Sequence, residues 1–378
     1  MSVNPRRYSA GIIGAGLAGR YLAFRLTALG NFDVYLFDKG ESRPDHVWGF
    51  WDANQPYLEQ TKTFVLANFD NLRFNFPGVS KTLPLKNYTY RVITSSGYEE
   101  SLLESSARSG CQLVHDTITE ITRGRDSYSL RGEMTGDHAF DFVFDSRPSK
   151  FRKDVLIQHF LGMTVKFSSP QFNPTTAILM DFNVDQSAGL HFMYGLPLSE
   201  REALIESTVF SPEVLDKTWY HEHIHTYLKT HVSSDHFQVI STEFGALPLA
   251  NLERYNNVGI PIGLAAGASR ASTGYAFTQI HRQIDSMITH FKSTGSMEPQ
   301  PGCDVIERKM DDIFLDVIKL YPNIGPEIFS RLAHKLSGDD FCEFMEGYSR
   351  YTTQLKVVSA LPKITFLRSL ASQFTKWN

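Results

Sequence analysis

The chain has 378 residues, of which 42% are hydrophobic and 21% are charged, and its net charge is −4 at pH 7. This is more chain than one hydrophobic core normally holds, so two intertwined domains are expected. The weakly negative charge argues against nucleic acid as the main partner. No apolar run approaches the roughly 18 residues that a membrane-spanning helix requires.

The N-terminal segment has the pattern of a strand, a tight glycine turn, a helix and a second strand. The turn is Gly14-Ala15-Gly16-Leu17-Ala18-Gly19, and the second strand ends at Asp38. In a βαβ unit, Gly14 permits the turn, Gly16 lets the backbone approach a pyrophosphate, and Gly19 lets helix and strand pack closely. The helix N-terminus offers N–H groups to the phosphates, and the Asp38 carboxylate can accept hydrogen bonds from ribose hydroxyl groups. The pattern therefore predicts a bound dinucleotide.

The position of this motif bears on which dinucleotide is bound. It begins within the first fifteen residues, which leaves no space for a substrate domain before it, and this is typical of FAD-binding chains. NAD-dependent dehydrogenases can begin in the same way, so both cofactors remain open at this point.

The following segments alternate between helical and extended patterns. We predict a helix over 98–108, a strand over 112–121 and an antiparallel meander over 127–134 and 140–145, whose last strand returns to the cofactor. Three strands over 176–184, 189–196 and 203–210 predict an antiparallel sheet that forms a substrate domain. A helix over 219–231, an extended segment over 237–249, a glycine-rich segment over 259–274 and a long helix near Ala276 come next, and several helices complete the chain.

If the dinucleotide is FAD, as the N-terminal position of the motif favours, these elements predict an α/β fold of the glutathione-reductase-like flavoprotein type. A Rossmann-like FAD-binding domain is expected to be discontinuous, comprising 1–45, 88–148 and 250–300. The substrate domain is expected over 46–87 and 149–249, and a helical region over 301–378. Within the returning glycine-rich segment, Gly267 and Gly274 are expected to contact the cofactor.

One histidine-rich helix resembles a zinc-protease motif. His221-Glu222-His223-Ile224-His225 matches H-E-x-x-H, and His231 lies where an extended motif places a third ligand. That motif needs a glycine where this chain has Leu228, and a continuing helix would separate His231 from His221 by about 15 Å along the axis. We interpret the segment as a solvated helix face and expect no metal.

Glu206 is the carboxylate most suited to acid–base chemistry. On a strand it shares a face with Leu204, Thr208 and Phe210. Loss of solvation on such an apolar face raises the pKa of a carboxyl group, as a general acid near neutral pH requires. An edge-strand glutamate that points to water fits the pattern equally well.

The order of several short motifs resembles the flavin-dependent bacterial lycopene β-cyclases. The matching segments run from near residue 10 to about 285, and the acidic strand and the Asp-His-Val-Trp motif are the most specific of them. They are the glycine turn at Gly14–Ala18, Asp45-His46-Val47-Trp48-Gly49-Phe50-Trp51, Met180-Asp181, Phe192-Met193-Tyr194-Gly195-Leu196-Pro197-Leu198-Ser199, Leu204-Ile205-Glu206-Ser207-Thr208, Gly245-Ala246-Leu247-Pro248 and Ser272-Thr273-Gly274-Tyr275.

The resemblance implies a redox-neutral cyclisation of the linear ends of lycopene, with reduced FAD as cofactor and NAD(P)H or a reductase as reductant. It makes Glu206 the acid–base residue, with Asp181 as an orienting or proton-accepting partner. The substrate-binding residues that it implies are Trp48, Phe50, Tyr194 and Tyr275. The aromatic surplus, 28 Phe and 16 Tyr, suits a polyene and a cationic intermediate.

Two departures from the family pattern affect the product. Ala271 stands where the family commonly has proline, and Ser207 stands where many members have a second acid. The same framework serves flavin monooxygenases and isoprenoid reductases, which remain the alternative function. A non-catalytic carotenoid-binding protein is a third interpretation, which the acid on an apolar strand argues against.

The substrate class and the C-terminal segment together predict a cytoplasmic protein that acts peripherally at a membrane surface. Three scattered cysteines without metal-ligand spacing suit a reducing compartment. An apolar helix face with basic flanks is typical of an interfacial helix, although a packed terminal helix has the same pattern. The residues concerned are Leu361, Ile364, Phe366, Leu367, Leu370 and Phe374, beside Lys363, Arg368 and Lys376.

Overall fold

A computed structural model of the protein describes residues 6–41, 45–147, 154–232, 236–250, 258–298 and 303–376. Up to residue 147 the elements are β1 (Tyr8–Ile13), α1 (Leu17–Thr27), β2 (Phe32–Asp38), β3 (Val47–Asp52), β4 (Val65–Phe69), β5 (Asn71–Phe76), β6 (Val79–Pro84), β7 (Thr89–Thr94), α2 (Ser95–Arg108), β8 (Gln112–His115), β9 (Ile118–Arg123), β10 (Tyr128–Gly132), β11 (Gly136–Phe140) and β12 (Phe142–Asp145). Beyond it they are β13 (Leu156–Phe167), β14 (Thr176–Asp181), β15 (Leu190–Pro197), β16 (Glu202–Ser211), α3 (Lys217–His231), β17 (Phe237–Leu249), β18 (Ile260–Pro261), α4 (Phe277–Thr294), α5 (Val305–Leu320), α6 (Gly325–Lys335), α7 (Gly338–Met345), α8 (Tyr351–Ala360) and α9 (Lys363–Lys376).

A five-stranded parallel sheet carries the predicted βαβ unit. Its strand order is β18-β12-β1-β2-β8, and each neighbouring pair runs parallel. Helix α1 buries Tyr21, Leu22 and Leu26 and packs against α2 and α4. Each such side chain contributes about 1.5–3 kcal/mol on burial, so apolar packing holds the turn between β1 and α1 in place.

The predicted meander is present with different strand limits. The segment 112–121 forms two strands because Asp116 ends the first one. Its carboxylate accepts hydrogen bonds from the backbone N–H groups of Thr117, Met134 and Thr135, which ties it to the turn between β10 and β11. The antiparallel sheet is therefore β11-β10-β9, while β12 leaves it and pairs in parallel with β1.

A seven-stranded sheet contains the three strands that the sequence predicts beyond residue 175. Its order is β17-β13-β16-β15-β14-β5-β6, and all neighbours are antiparallel except β14 and β5. Strand β13 lies between β16 and β17 and pairs with both along most of its length. Helix α3 covers one face of the sheet through Tyr220, Ile224 and Leu228, and the other face is apolar and aromatic.

A small three-stranded sheet, β3-β7-β4, pairs two strands of the predicted substrate domain, β3 and β4, with β7 of the predicted FAD-binding domain. The division into an FAD-binding domain and a substrate domain with the predicted limits therefore stays a proposal. The C-terminal helices pack on β5 and β6, with Phe341 of α7 against Phe74 at a ring-centroid distance of 5.1 Å. Within the described ranges, no helix combines the length and apolarity needed to cross a membrane.

Candidate functional site

The glycine turn after β1 has the close contacts that its motif predicts. Gly14 has φ of +93°, and a Cβ there would lie 2.4 Å from the Ser146 hydroxyl oxygen. A Cβ on Gly19 would lie 1.9 Å from the Gly14 carbonyl oxygen, so only glycine allows α1 to approach β1 this closely. Gly16 precedes the first residue of α1 in extended backbone conformation.

Asp38 lies beside this turn and fixes its shape. One carboxylate oxygen accepts the Ala15 N–H at 2.7 Å, and the other accepts the Gly40 N–H at 2.9 Å. The structure thus brings Gly14, Ala15 and Asp38 together at the carboxyl end of the parallel sheet, where α/β proteins bind their ligands. A role of Asp38 towards a ribose remains a prediction.

A second glycine-rich loop lies against the first. A Cβ on Gly263 would lie 2.6 Å from the Cβ of Ala18, so this loop touches the start of α1. Gly267 and Gly274 both have φ of +71°, in the left-handed region that favours glycine. A Cβ on Gly274 would lie 3.0 Å from the amide oxygen of Gln158 in β13. The loop therefore runs from the glycine turn to the seven-stranded sheet.

Two glutamates meet on that sheet across a glycine. In the strand register, Gly162 of β13 is opposite Glu206 on one side and opposite Glu243 of β17 on the other. A Cβ on Gly162 would lie 3.1 Å from Cγ of Glu206 and 3.0 Å from Cγ of Glu243. The small residue lets the two carboxyl groups come within hydrogen-bonding reach of one another over the intervening strand.

The surroundings of the pair favour the protonated form of Glu206. Burial and the neighbouring Glu243 raise the pKa of Glu206 well above its ordinary value. Burial also raises the pKa of Glu243, while hydrogen bonds from Glu206 and from the Val47 N–H, at 3.1 Å, oppose that rise. Glu206 itself keeps some accessible surface, although its strand neighbours Ile205 and Ser207 are buried.

Three tyrosines lie next to Glu206. Tyr194 of β15 is opposite Glu206 in the strand register. The hydroxyl oxygen of Tyr90 lies 2.6 Å from that of Tyr194 and 3.3 Å from that of Tyr275, so the three hydroxyl groups form a chain. Burial raises the pKa of all three phenols well above the ordinary value, so they stay neutral. Trp51 packs on Tyr90 and Tyr275 with ring centroids 4.3 and 5.7 Å away. The acid therefore lies in an aromatic environment.

The predicted residues Trp48 and Phe50 lie on the other face of β3. Phe50 stacks on Phe277 of α4 at 4.6 Å, and Trp48 lies 5.1 Å from the same ring. Strand alternation explains this, because Gly49 and Trp51 are the residues of β3 that face the tyrosines. The structure does not bring Trp48 and Phe50 to Glu206, and Trp51, which the sequence places in the same motif without a substrate role, is the tryptophan beside the tyrosines.

Asp181 is likewise not a neighbour of Glu206. Its carboxylate accepts hydrogen bonds from Asn75 at 2.7 Å, from the Tyr227 hydroxyl at 2.9 Å and from Asn183. Tyr227 belongs to α3, so Asp181 points to the face of the sheet opposite the glutamate pair. An irregularity of pairing between Ile178 and Asp181 moves it out of simple alternation. The expected pairing of Asp181 with Glu206 is thus not met, and Glu243 is the carboxyl that Glu206 contacts.

The histidine-rich helix is continuous, as Leu228 predicted. Leu228 is buried inside α3, His223 stacks on Trp219 at 3.8 Å, and His231 stacks on Tyr227 at 4.2 Å. Among the residues that the structure describes, no three His, Cys, Asp or Glu side chains are grouped so as to hold a metal ion.

Arg270 connects the second glycine-rich loop to the C-terminal helices. Its backbone N–H donates to the Tyr275 carbonyl, and its carbonyl accepts from Gly274, both at 2.8 Å. The buried guanidinium donates to Asp311 of α5 at 2.7 Å and to the Phe344 carbonyl at 2.6 Å, with Glu307 at 3.4 Å. The position of Tyr275 therefore depends on contacts made by α5 and α7.

A parallel sheet with a glycine turn, joined to a second sheet that carries Glu206 and Glu243, defines an α/β protein of the flavoprotein type, as the sequence predicts. The fold is similar to a geranylgeranyl bacteriochlorophyll reductase-like protein from Thermoplasma acidophilum, with TM-score 0.60, 13% identity and coverage of 94% of this chain and 96% of that one. A flavin-dependent brominase gives TM-score 0.61 and 11% identity, covering 98% and 100% of the two chains.

The chain belongs to the lycopene cyclase family, whose profile, described as "Lycopene cyclase protein", matches residues 11–371. A lycopene beta-cyclase from Pantoea ananas is 27% identical over 285 residues, which is 71% of each chain. Another, from Paracoccus sp. (strain N81106 / MBIC 01143), is 24% identical over 389 residues and covers 93% of this chain and 94% of its own. The family resemblance of the sequence motifs is thus confirmed.

Proposed function

We propose that this protein cyclises the linear ends of lycopene, or of a related polyene, to β-rings in carotenoid biosynthesis, with no net redox change. The observation that carries the proposal is Glu206, a carboxyl group of raised pKa on an aromatic face beside Tyr194. Family membership supports the substrate class, and the position of Glu206 beside three tyrosines supports an acid-catalysed step through a cation.

The glycine turn fits a dinucleotide cofactor, because a Cβ at Gly14 or Gly19 would collide with Ser146 or with the Gly14 carbonyl and open the tight turn that presents the start of α1. We propose that FAD is held by Gly14, Ala15, Gly16, Ala18, Gly19 and Asp38, and by Gly267 and Gly274 of the second loop. A reduced flavin bound there would supply negative charge beside the reacting end of the polyene. NAD(P)H, directly or through a reductase, is the proposed source of its electrons.

The proposed reaction uses the protein's own groups as follows. The Glu206 O–H bond breaks as its proton forms a C–H bond at the terminal double bond of the polyene, which leaves a tertiary cation. The next double bond attacks that cation and closes the six-membered ring. Loss of a ring proton to a carboxylate then gives the β-ring and restores the acid, so the product is an isomer of the substrate. The faces of Tyr90, Tyr194 and Tyr275 stabilise the cation and exclude water.

We also propose that the protein works from the cytoplasm at a membrane surface, since its substrate dissolves in lipid. In α9, Ile364 and Leu367 are 69% and 64% exposed, beside Lys363 and Arg368, as an interfacial face requires. Phe366 of the predicted set is instead buried in the core. The side chains of Leu370, Phe374 and Lys376 lie outside the described residues.

The test is an anaerobic assay with lycopene in lipid vesicles, purified protein and reduced FAD, in ordinary and in deuterated water. We expect ring products of unchanged mass in ordinary water and one solvent-derived deuterium per ring in deuterated water, without stoichiometric use of NAD(P)H. Rings that carry no solvent deuterium would contradict the acid mechanism. A product that gains oxygen or two hydrogens would support the alternative, a flavin monooxygenase or isoprenoid reductase.

A further inference from the structure

The proposed reaction requires only Glu206 as the acid, and it gives no role to Glu243, the second carboxyl group in contact with Glu206. Strand β13 separates the two glutamates, and they meet only because residue 162 is glycine, with each Cγ about 3 Å from where its Cβ would lie. Two carboxyl groups this close cannot both be ionised without strong repulsion, so the pair retains a proton.

We propose that Glu243 is a positioning residue that shares one proton with Glu206 and keeps that proton on Glu206 in the resting enzyme. This inference rests on the proposed function, in which Glu206 is the acid. Glu243 does not itself deliver the proton to the polyene. It acts by holding a negative charge next to Glu206, which opposes ionisation of Glu206 until the substrate takes the proton.

The groups around the pair make it asymmetric. The Val47 N–H donates to a carboxylate oxygen of Glu243 at 3.1 Å, and His46, which precedes β3, favours the ionised form of Glu243, whereas Asp45 disfavours it. Glu206 faces neutral tyrosines instead, namely Tyr194 of β15, Tyr90 of β7 and Tyr275 of the second loop. The charge therefore rests on Glu243 and the proton on Glu206.

The same arrangement resets the enzyme after ring closure. When Glu206 has donated its proton, two carboxylates lie side by side, and the return of one proton from the ring carbon relieves their repulsion. The O–H bond that breaks at the start forms again at the end, and no electrons are transferred to or from the protein. The pair thus favours proton loss from the ring over capture of the cation by water.

The direct test is infrared difference spectroscopy of the purified, flavin-loaded protein across a pH titration. The carbonyl stretch of protonated Glu206 is assigned as the band that Glu206→Gln removes. In Glu243→Gln the amide oxygen still accepts the Val47 N–H, but the neighbouring charge is lost, so the pKa of Glu206 falls. We expect the titration midpoint of the band to move to lower pH by about one unit or more.

Matched variants separate this effect from a general loss of structure. Glu202→Gln, near the end of the same strand, removes a carboxylate outside the pair, and the band should keep its midpoint. Glu243→Asp keeps the charge but withdraws it by one methylene, and its midpoint should lie between those of the wild type and Glu243→Gln. If Glu243→Gln does not fold, the comparison of wild type with Glu243→Asp tests the proposal.

The outcomes distinguish the two proposals. A midpoint that is the same in wild type, Glu243→Gln and Glu243→Asp overturns the role of Glu243 and leaves Glu206 as the acid. If no protonated-carboxyl band disappears in Glu206→Gln near neutral pH, the acid itself is misassigned and the proposed function loses its support. In the cyclisation assay, the alkaline limit of activity should shift to lower pH in Glu243→Gln by the same amount as the band.

Discussion

Tyr90 and Tyr194 join two separate β-sheets through hydroxyl oxygens that lie 2.6 Å apart. Tyr90 lies on the three-stranded sheet β3-β7-β4 and Tyr194 on the seven-stranded sheet, and both hydroxyl groups approach the backbone of Gly49. A Cβ on Gly49 would lie 2.0 Å from the Tyr90 oxygen and 2.9 Å from that of Tyr194. The aromatic wall of the site is therefore assembled only if position 49 has no side chain.

We expect Gly49→Ala to destabilise the folded protein by about 1–3 kcal/mol, because the methyl group forces the tyrosines apart. The double variant Gly49→Ala, Tyr90→Phe lacks the hydroxyl group that would lie closest to the new methyl group. Its loss of unfolding free energy should therefore be smaller than the sum of the losses in the two single variants. Urea unfolding measures both. Gly97→Ala, where a Cβ would make ordinary contacts at 3.4 Å or more, is the control. Strict additivity would contradict the contact.

Glu206→Gln keeps the shape of the side chain and removes the transferable proton. Ring formation should fall by about 100-fold or more, the usual contribution of a general acid, while bound flavin is retained. Product formation per flavin-loaded protein measures this effect, with Glu202→Gln as the matched control. Near-normal turnover by Glu206→Gln would mean that another group donates the proton.

Gly16→Val should yield protein without flavin, because the side chain blocks approach of a pyrophosphate to the start of α1. Visible absorbance per protein after gel filtration gives the occupancy. Ala28→Val, an exposed position at the other end of the same helix, should keep the cofactor. Stoichiometric flavin on Gly16→Val would contradict the assignment of this turn.

Asp181→Asn should reduce stability more than activity. Asp181 is buried and accepts hydrogen bonds from Asn75, Tyr227 and Asn183, so an amide there leaves a donor facing donors and costs about 1–3 kcal/mol. Urea unfolding and the pH profile of cyclisation are the two measurements. The exposed Asp185→Asn serves as control. A shifted pH profile with normal stability would restore Asp181 as a proton-accepting partner of Glu206.

Membrane association should depend on the exposed apolar residues of α9. Ile364→Ser with Leu367→Ser should weaken flotation with vesicles that contain anionic lipid at low salt. Met134→Ser changes a side chain that is 75% exposed in the turn between β10 and β11, and it should leave flotation unchanged. If the wild type does not associate with vesicles of any composition, the interfacial role of α9 is wrong.

Local periodicity or a short motif was enough to predict the βαβ unit, the strands of the second sheet and the place of Glu206 on an apolar strand face. Trp48 and Phe50 were assigned to the substrate because the motif that contains them is specific, but a motif does not state which face of β3 each residue occupies. Asp181 was misplaced for a similar reason, since its pairing irregularity is invisible in the sequence.

Glu243 could not be identified from the sequence as the partner of Glu206. The two residues become neighbours only through the register of β13 with both β16 and β17, a long-range property. A weak signal was present, because Glu243 lies two residues before the Gly245-Ala246-Leu247-Pro248 motif, on a strand predicted as extended. Tyr90 carried no signal that distinguishes it from a core aromatic residue.

The contacts of Arg270 determine when, during synthesis on the ribosome, the site can form. The loop that holds Tyr275 is anchored by the buried guanidinium of Arg270. Its partners, Asp311 and the Phe344 carbonyl, are translated after the strands of the sheets that carry Tyr90 and Tyr194. Until those residues have left the exit tunnel, Arg270 has no counter-ion for its burial, and an unpaired buried charge is costly. A nascent chain therefore completes its tyrosine cluster only after Phe344 has been translated, so Glu206 acquires its buried environment later than the strands around it are made.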